Sequence, residues 1–405
     1  MHAAGRRPFA PRSADPTVAG PVGRQTGGMA RTASARAAGP VVTTRALGRA
    51  TLARQLLLRR DARDVTDVVR GLLGLQAQVP AVPYLALWSR LDGFAPEDLA
   101  GPVRRRELVR APLMRTTIHT VTADDAVGLR PLVQPVLERT FASTAWGQRL
   151  RGHDLTEAFD VAVRLVEERP RTRAELAGLL AEAVPGLDPV SLSWAFSYHV
   201  PLVQPTPRGL WGESGASALT TYRAWLGRDA EPGATSVDEV VLRYLRGFGP
   251  ATVRDVQAWC GLTRLREVVD RLGDRVRHLR GEDGQDLVDV PDGVVPDADV
   301  PAAVRLLPEY DNGLLSYADR ARVVHPAPHE PLLGGPGGYV GSVLVDGLVR
   351  ATWALRRERD TAALEVHRST PLTAAETDDV EAEGRRLLAF VVPDAPHTVA
   401  FSGAG

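Results

Sequence analysis

The sequence predicts an α+β protein: three tandem helical units, each closed by a short β-hairpin, followed by an antiparallel β-barrel-like domain. Three observations predict it. Capped helical stretches followed by paired, alternating segments recur at similar spacing between residues 45 and 299. After Val300 the pattern changes to short alternating strands bounded by turns. Residues 1–44 carry six Arg, one acid and many Gly, Pro and Ala, a composition expected to stay disordered, so they are set apart from the fold.

In the first unit (45–150), Thr44 is placed to cap a helix through about Arg59, and Asp64 one running to Leu75. A third helix is expected over Tyr84–Leu91, and Pro96 opens a fourth. Leu108–Arg110 and Thr116–Val121 then read as strands around Ala111-Pro112-Leu113. Asp124 and Asp125, just beyond, suit the first turn of another helix. In the second unit (151–230), Leu155–Glu168 is amphipathic, Thr172 and Glu175 form a capping box for Arg173–Ala183, and Pro189–Tyr198 is the next helix. Its hairpin is expected over Pro201–Pro207 and Gly209–Gly212. In the third unit (231–299), Ser236 caps a helix through Arg246, and helices follow over Pro250–Trp259 and Thr263–Leu272. Strands Arg275–Leu279 and Asp286–Val290 flank the turn Gly281-Glu282-Asp283-Gly284. Three helices plus a two-stranded hairpin in some 60 residues is the shape of a winged helix. From 300 to 405, strands are expected over Val304–Leu307, Tyr339–Val345, Leu348–Leu355 and Ala363–His367. Asp346-Gly347 is a hairpin turn, and a helix over Ala374–Leu388 closes the chain.

Composition excludes several chemistries. The chain has no lysine, and all 49 basic residues are arginine. A Walker-type P-loop, a kinase active site and pyridoxal or other lysine Schiff-base chemistry are therefore ruled out. The single Cys260 precludes an internal disulfide and a cysteine-built zinc or iron–sulfur site, and the scattered histidines show no metal-binding spacing. No metal and no cofactor is expected. No apolar run approaches 18 residues and the N-terminus lacks an apolar signal core, so a cytoplasmic, nucleoid-associated protein without membrane contact is expected. The net charge is zero, but residues 45–121 carry 13 Arg against seven acids, whereas 281–300 carry seven acids and no Arg. Such polarity is compatible with nucleic-acid binding.

Gln76-Ala77-Gln78 lies where an apolar helical stretch ends, with Pro80 favouring extended backbone ahead of it. In an extended strand the two amides share a face. They can hold a water or a polar group, but cannot act as titrating bases near neutral pH. Arg104, Arg105, Arg106, Arg110 and Arg115 are candidates for phosphate contacts. His119 lies on a predicted strand, where it either aims into the site or serves the fold. Most of the tryptophans are expected in the core, with Trp211, on a predicted wing, the candidate for stacking on a base.

These residues also carry a family resemblance. Leu73-Gly74-Leu75-Gln76-Ala77-Gln78, Thr116-Thr117-Ile118-His119, Arg208-Gly209-Leu210-Trp211-Gly212, Gly249-Pro250-Ala251-Thr252-Val253, Leu307-Pro308-Glu309-Tyr310-Asp311-Asn312 and Val345-Asp346-Gly347 occur in this order. Together they resemble the winged-helix DNA-binding family that contains the AlkZ DNA glycosylase, over roughly residues 41–400. The resemblance implies three tandem winged helices plus a C-terminal β-barrel forming a clamp on DNA. It also implies excision of bulky alkylated bases, including unhooking of interstrand crosslinks, and a glutamine–aliphatic–glutamine catalytic element at Gln76 and Gln78. The expected partner is double-stranded DNA containing alkylated bases, bound by a monomer. With no lysine for a Schiff base, the expected enzyme is monofunctional and leaves an abasic site. The competing reading is a non-catalytic tandem winged-helix protein such as a transcription regulator. That reading needs a basic recognition helix, and the segment Pro189–Tyr198 contains no arginine.

Overall fold

Side-chain caps start most of the helices. The structure, a computed structural model, describes residues 39–324, 341–357 and 361–403. Strand β1 (Val41–Val42) leads into α1 (Thr44–Arg54), whose cap is Thr43, accepting from Ala46 N. The end of the segment expected to be disordered is therefore folded; residues 1–38 lie outside the described residues. Asp64 caps α2 (Val65–Gly71). Leu73 (φ 56°) and Gly74 (φ 98°) then turn the chain into β2 (Leu75–Gln76), where the sequence had suggested continuing helix. Next come α3 (Val82–Arg90), α4 (Pro96–Arg104), β3 (Leu108–Pro112) and β4 (Ile118–Thr122). The three strands pair in the order β2-β4-β3.

Helices α5 (Ala123–Ser143) and α6 (Ala145–Arg149) connect to a second copy of this arrangement. It comprises α7 (Thr156–Glu168), β5 (Arg171–Thr172), α8 (Arg173–Ala183), α9 (Pro189–His199), β6 (Leu202–Val203) and β7 (Ala218–Thr221). Its strand order, β5-β7-β6, is the same. The Thr172–Glu175 capping box forms as expected. The second hairpin strand does not lie over Gly209–Gly212. That stretch is a loop, because Leu210 and Trp211 pack back onto the first unit and Tyr84 Oη donates to Gly209 O at 2.9 Å.

After α10 (Tyr222–Leu226), a third copy is made by α11 (Val237–Phe248), a one-residue bridge from Ala251 to Val288, α12 (Val253–Cys260), α13 (Leu265–Leu272), β8 (Arg277–Gly281) and β9 (Asp286–Asp289). β1 extends this sheet, parallel to β8. The unit helix–strand–helix–helix–strand–strand thus occurs three times.

The C-terminal region is β10 (Arg305–Leu307), α14 (Asn312–Leu315), β11 (Gly341–Val345), β12 (Leu348–Arg357), β13 (Ala362–Arg368), α15 (Ala374–Val391) and β14 (His397–Gly403). Its five strands form an open sheet in sequence order. This corrects the barrel-like, wholly antiparallel expectation. β14 follows α15 as a crossover and pairs parallel to β13, so among the described residues β10 and β14 are two separate edges. Val380, Leu387 and Leu388 of α15 pack with Leu306, Val343, Leu364 and Val366 of the sheet.

The first unit sits between two cores. Val109, Ala111 and Val121 of its sheet join α5 and the third unit, while Val69, Leu87 and Leu99 of its helices join the C-terminal sheet. The second unit has its own core. An ion pair with no solvent exposure on either side chain, Arg90–Asp311, ties the first unit to the C-terminal region. Arg90 donates through both terminal nitrogens to the two carboxylate oxygens, each at 2.8 Å, and also to Ala86 O and Gln55 Oε1. Gln55 in turn donates to Gly247 O, so one network joins α1, α3, α11 and the entry to α14. Replacing Asp311 by Ala leaves the Arg90 charge buried without a counterion. A loss of about 3–5 kcal/mol in unfolding free energy is expected, measured by urea denaturation, with much of it recovered in the Arg90→Met/Asp311→Leu double variant.

Candidate active site

β2 is the edge strand of the first sheet. Gln76 faces His119 in its ladder, and Ala77 N donates to Ile118 O at 2.7 Å. One residue later the backbone leaves the ladder, and the Gln78 side chain takes its place: Oε1 accepts from Ile118 N at 3.3 Å. Gln76 Oε1 accepts from Arg115 Nη2 at 2.9 Å. Both partners are donors, so the amide oxygens are assigned by chemistry. Among the described residues, each glutamine keeps its NH2 group without a protein partner and one lone pair on its oxygen. Gln76 is buried, at 5% exposure, whereas Gln78 is exposed.

Two arginines brace the motif. Arg110, 3% exposed, donates to Ala77 O at 2.8 Å and to Gln204 Oε1 at 3.1 Å, pinning the backbone between the glutamines. Arg115 sits in the β3–β4 turn, where Arg115 (φ 52°) and Thr116 (φ 60°) are both left-handed without being glycine. Such strain persists only where the surroundings over-determine it; here Arg115 also donates to Trp259 O of the third unit at 3.3 Å. Burial pulls both guanidiniums down to about 10, so they stay charged at neutral pH. His119, 1% exposed, uses Nδ1 on Thr117 O at 3.0 Å, and its Nε2 has no partner. Burial, then the Arg115 charge, drives it down to about 3, so it is neutral.

On the other side of the motif, Gly74 allows close passage of β4: a Cβ there would clash with Val121 Cγ1. Asn312 Nδ2 donates to Gly74 O at 2.7 Å, next to the Arg90–Asp311 pair. Glu309, two residues before Asp311, is half-buried, and burial raises its carboxyl above the usual range.

The structure therefore gathers Gln76, Gln78, Arg110, Arg115 and His119. It places the other nominated residues elsewhere. Arg104 pairs with Glu97 at 2.5 Å and Arg105 with Glu107 at 2.8 Å, all four exposed. Arg106 lies over the Trp225 ring at 4.2 Å. Trp211 packs between Tyr84 (5.0 Å) and Phe390 (5.1 Å). Arg110 and His119 have protein partners inside the fold rather than a surface position. Gln78 opens onto a cavity of about 330 Å³ between the first and second units, whose walls include Thr116, Arg173, Trp194, Gln204 and Arg208. Of these, none beyond the motif was nominated from sequence. Asn312 carried one signal, being the sole asparagine of the chain. No helix among the described residues is long and apolar enough to cross a membrane.

Comparisons with known proteins bear on the fold and the family. The sequence pattern of the family described as DNA glycosylase AlkZ-like matches residues 69–390. The chain is 24% identical to an interstrand DNA cross-link repair glycosylase of Streptomyces sahachiroi, over 75% of this chain and 85% of that protein. The solved structure of the Streptomyces sahachiroi DNA glycosylase AlkZ superposes with a TM-score of 0.70 at 20% identity, covering 89% of this chain and all of the other. The match spans most of the chain and includes both glutamines: the chain belongs to the AlkZ-like family of DNA glycosylases.

Proposed function

We propose that this glycosylase hydrolyses the N-glycosidic bond of bulky, cationic alkylated purines of the N7-alkylguanine type in double-stranded DNA, with Gln76 and Gln78 as its catalytic residues. Unhooking of interstrand crosslinks belongs to this reading, since a relative is named an interstrand DNA cross-link repair glycosylase. So do action as a monomer, a cytoplasmic, nucleoid-associated location, and a role in DNA repair or self-resistance to a genotoxic natural product. The three repeated units support assignment as winged helices over 45–150, 151–230 and 231–299, with 300–405 as the closing domain.

The observation that carries the reading is the pair of anchored, uncharged amides beside a neutral imidazole, with Gln78 opening onto a cavity that no carboxylate of the described residues lines. N7-alkylation leaves guanine cationic. As its C1′–N9 bond breaks, the electron pair neutralises the ring, so the base leaves without an acid. The sugar becomes oxocarbenium-like, water adds at C1′, and its proton passes to solvent. A water can accept from an amide NH2 and donate to the free lone pair of an amide oxygen, so Gln78 orients the nucleophile while Gln76, held by Arg115, shares the water or contacts the sugar–phosphate. An undamaged purine lacks the weakened bond. The regulator reading is not favoured: α9 has no arginine, and Arg264 at the start of α13 and Arg271 in its last turn pair with Glu267 and Asp238.

Base release from duplex DNA carrying N7-alkylguanine tests the proposal. Gln78→Ala and Gln76→Ala are each expected to slow release by about 10²-fold. Absence of release by the wild type across bulky and simple adducts overturns the activity; undiminished release in both variants overturns the site. Because the chain lacks lysine, borohydride should trap no covalent protein–DNA species, and a trapped adduct would contradict the monofunctional assignment.

The pH dependence follows from the site. Amides do not titrate, His119 is neutral above about 3, and Arg115 is charged below about 10. Single-turnover rates should therefore stay level from about pH 6 to 9 and fall as Arg115 deprotonates. Stability has the opposite limb. His119 is lowered on folding from its ordinary 6.5, so below that value the unfolded chain takes up a proton that the folded chain refuses. Its contribution is complete above 6.5 and is lost as pH falls toward 3. His119→Gln should flatten the acid limb of a melting-temperature profile.

A further inference from the structure

The cavity beside Gln78 has a distinctive charge pattern. Arg173 and Arg208 line it with Gln78, Gln204, Ser197 and Ser217, and no aspartate or glutamate of the described residues contributes to its wall. Neither arginine has a carboxylate partner among the described residues. Arg208 makes one hydrogen bond, from Nη1 to Gly215 O at 3.0 Å, and its buried Nε has none. Arg173 lies over the Trp194 ring at 3.9 Å. Behind the Gln204 wall, buried Arg110 has Nε and Nη1 without hydrogen-bond partners among the described residues, and burial, then the nearby Arg208 charge, weakens its hold on its proton. Arg173 and Arg208 thus share one cavity, with Arg110 near Arg208, and no acid of the described residues lines it. Elsewhere in the first unit, Arg104 and Arg105 are matched to acids.

We infer that this cavity is a phosphate site, in which Arg173 and Arg208 grip one backbone phosphodiester of the damaged strand and so set the sugar against Gln78. The inference rests on the glycosylase reading for its ligand and goes beyond it in assigning residues and a contact. The alternative occupant, the extruded base, fits poorly. A cationic alkylpurine would meet two guanidiniums and no counter-charge. The two aromatic residues of the wall are also engaged: Tyr198 packs against Phe141 at 5.5 Å, Trp146 stacks on Trp194 at 4.3 Å with planes 15° apart, and Arg173 lies over the Trp194 ring as well. That stack fixes the Arg173 fork instead, and a fixed guanidinium suits bidentate phosphate binding. A phosphate held here also places negative charge near the sugar, where the oxocarbenium-like cation develops.

The test is binding alone, so it stands whether or not base release is seen. Duplexes carry a tetrahydrofuran abasic analogue and a single uncharged methylphosphonate, moved through the phosphates on either side of it. Wild type, Arg173→Gln, Arg208→Gln and Arg208→Lys are titrated by fluorescence anisotropy at several salt concentrations, with melting temperatures as a check on folding. The wild type should lose about 5–10-fold in affinity at one phosphate position. Each Gln variant should lose a similar factor on the all-phosphate duplex, lose little more at that one position, and show a salt slope smaller by about one. Arg208→Lys should recover part of the loss. Effects that multiply at every phosphate position, or Gln variants with wild-type affinity and salt slope, overturn the assignment. Base release by the wild type without this coupling overturns the phosphate site and leaves the glycosylase reading intact.

Discussion

The Arg90–Asp311 pair is the interaction on which the rest of the site's geometry depends. Both groups are removed from water, so the pair is tolerated only because two parallel hydrogen bonds, Ala86 O and Gln55 satisfy the charges. Its consequence is registration. A bidentate pair between α3 and the start of α14 fixes where the C-terminal region enters, and the same carboxylate caps α14 through Gly313 N. One residue on, Asn312 reaches Gly74 O, two residues ahead of Gln76. A short segment near residue 311 thereby sets the height of a strand over 230 residues earlier in the chain.

From that anchor the site is built by cations that hold neutral groups. Arg115 takes the Gln76 oxygen and Arg110 the Ala77 carbonyl, while the Ile118 amide takes the Gln78 oxygen. Each bond restrains an amide without neutralising or protonating it. Positioned dipoles need no reorganisation at the moment of reaction, and in a partly desolvated setting they act more strongly than in water. Left-handed backbone at Leu73, Arg115 and Thr116 flanks the motif on both sides in space. Strain of this kind costs free energy locally, and the surrounding cores offset it.

Parts of this arrangement are legible in the residues themselves. Asp64, Thr172 with Glu175, and Ser236 announce helices because capping is a contact within four residues. Asp346-Gly347 announces its hairpin because both residues take positive φ, at 47° and 80°. The opening strand of each unit is not legible. Leu75–Gln76, Arg171–Thr172 and the bridge at Ala251 span two residues or fewer, too short for an alternation to register. Helix α5 was foreseen only at its acidic first turn, since Pro131 and Pro135 interrupt the pattern that would extend it. The arginines of the basic stretch looked alike in sequence, yet Arg104 and Arg105 are neutralised by acids a few residues away, whereas Arg110 and Arg115 turn inward.

By itself the sequence determined the repeated units, the family, and the absence of any lysine-based chemistry, because these rest on local caps, ordered motifs and composition. It also singled out Gln76 and Gln78 by their spacing before Pro80. Tertiary structure alone decided that one amide is sealed in and the other opens onto a cavity. It decided too that Arg173 and Arg208 of the second unit converge on Gln78 of the first, and that the last sheet stays open. These are contacts between segments about 100 residues or more apart, or the return of β14 beside β13 over an intervening helix. Nothing in a local stretch of chain encodes which distant surface will fold against it.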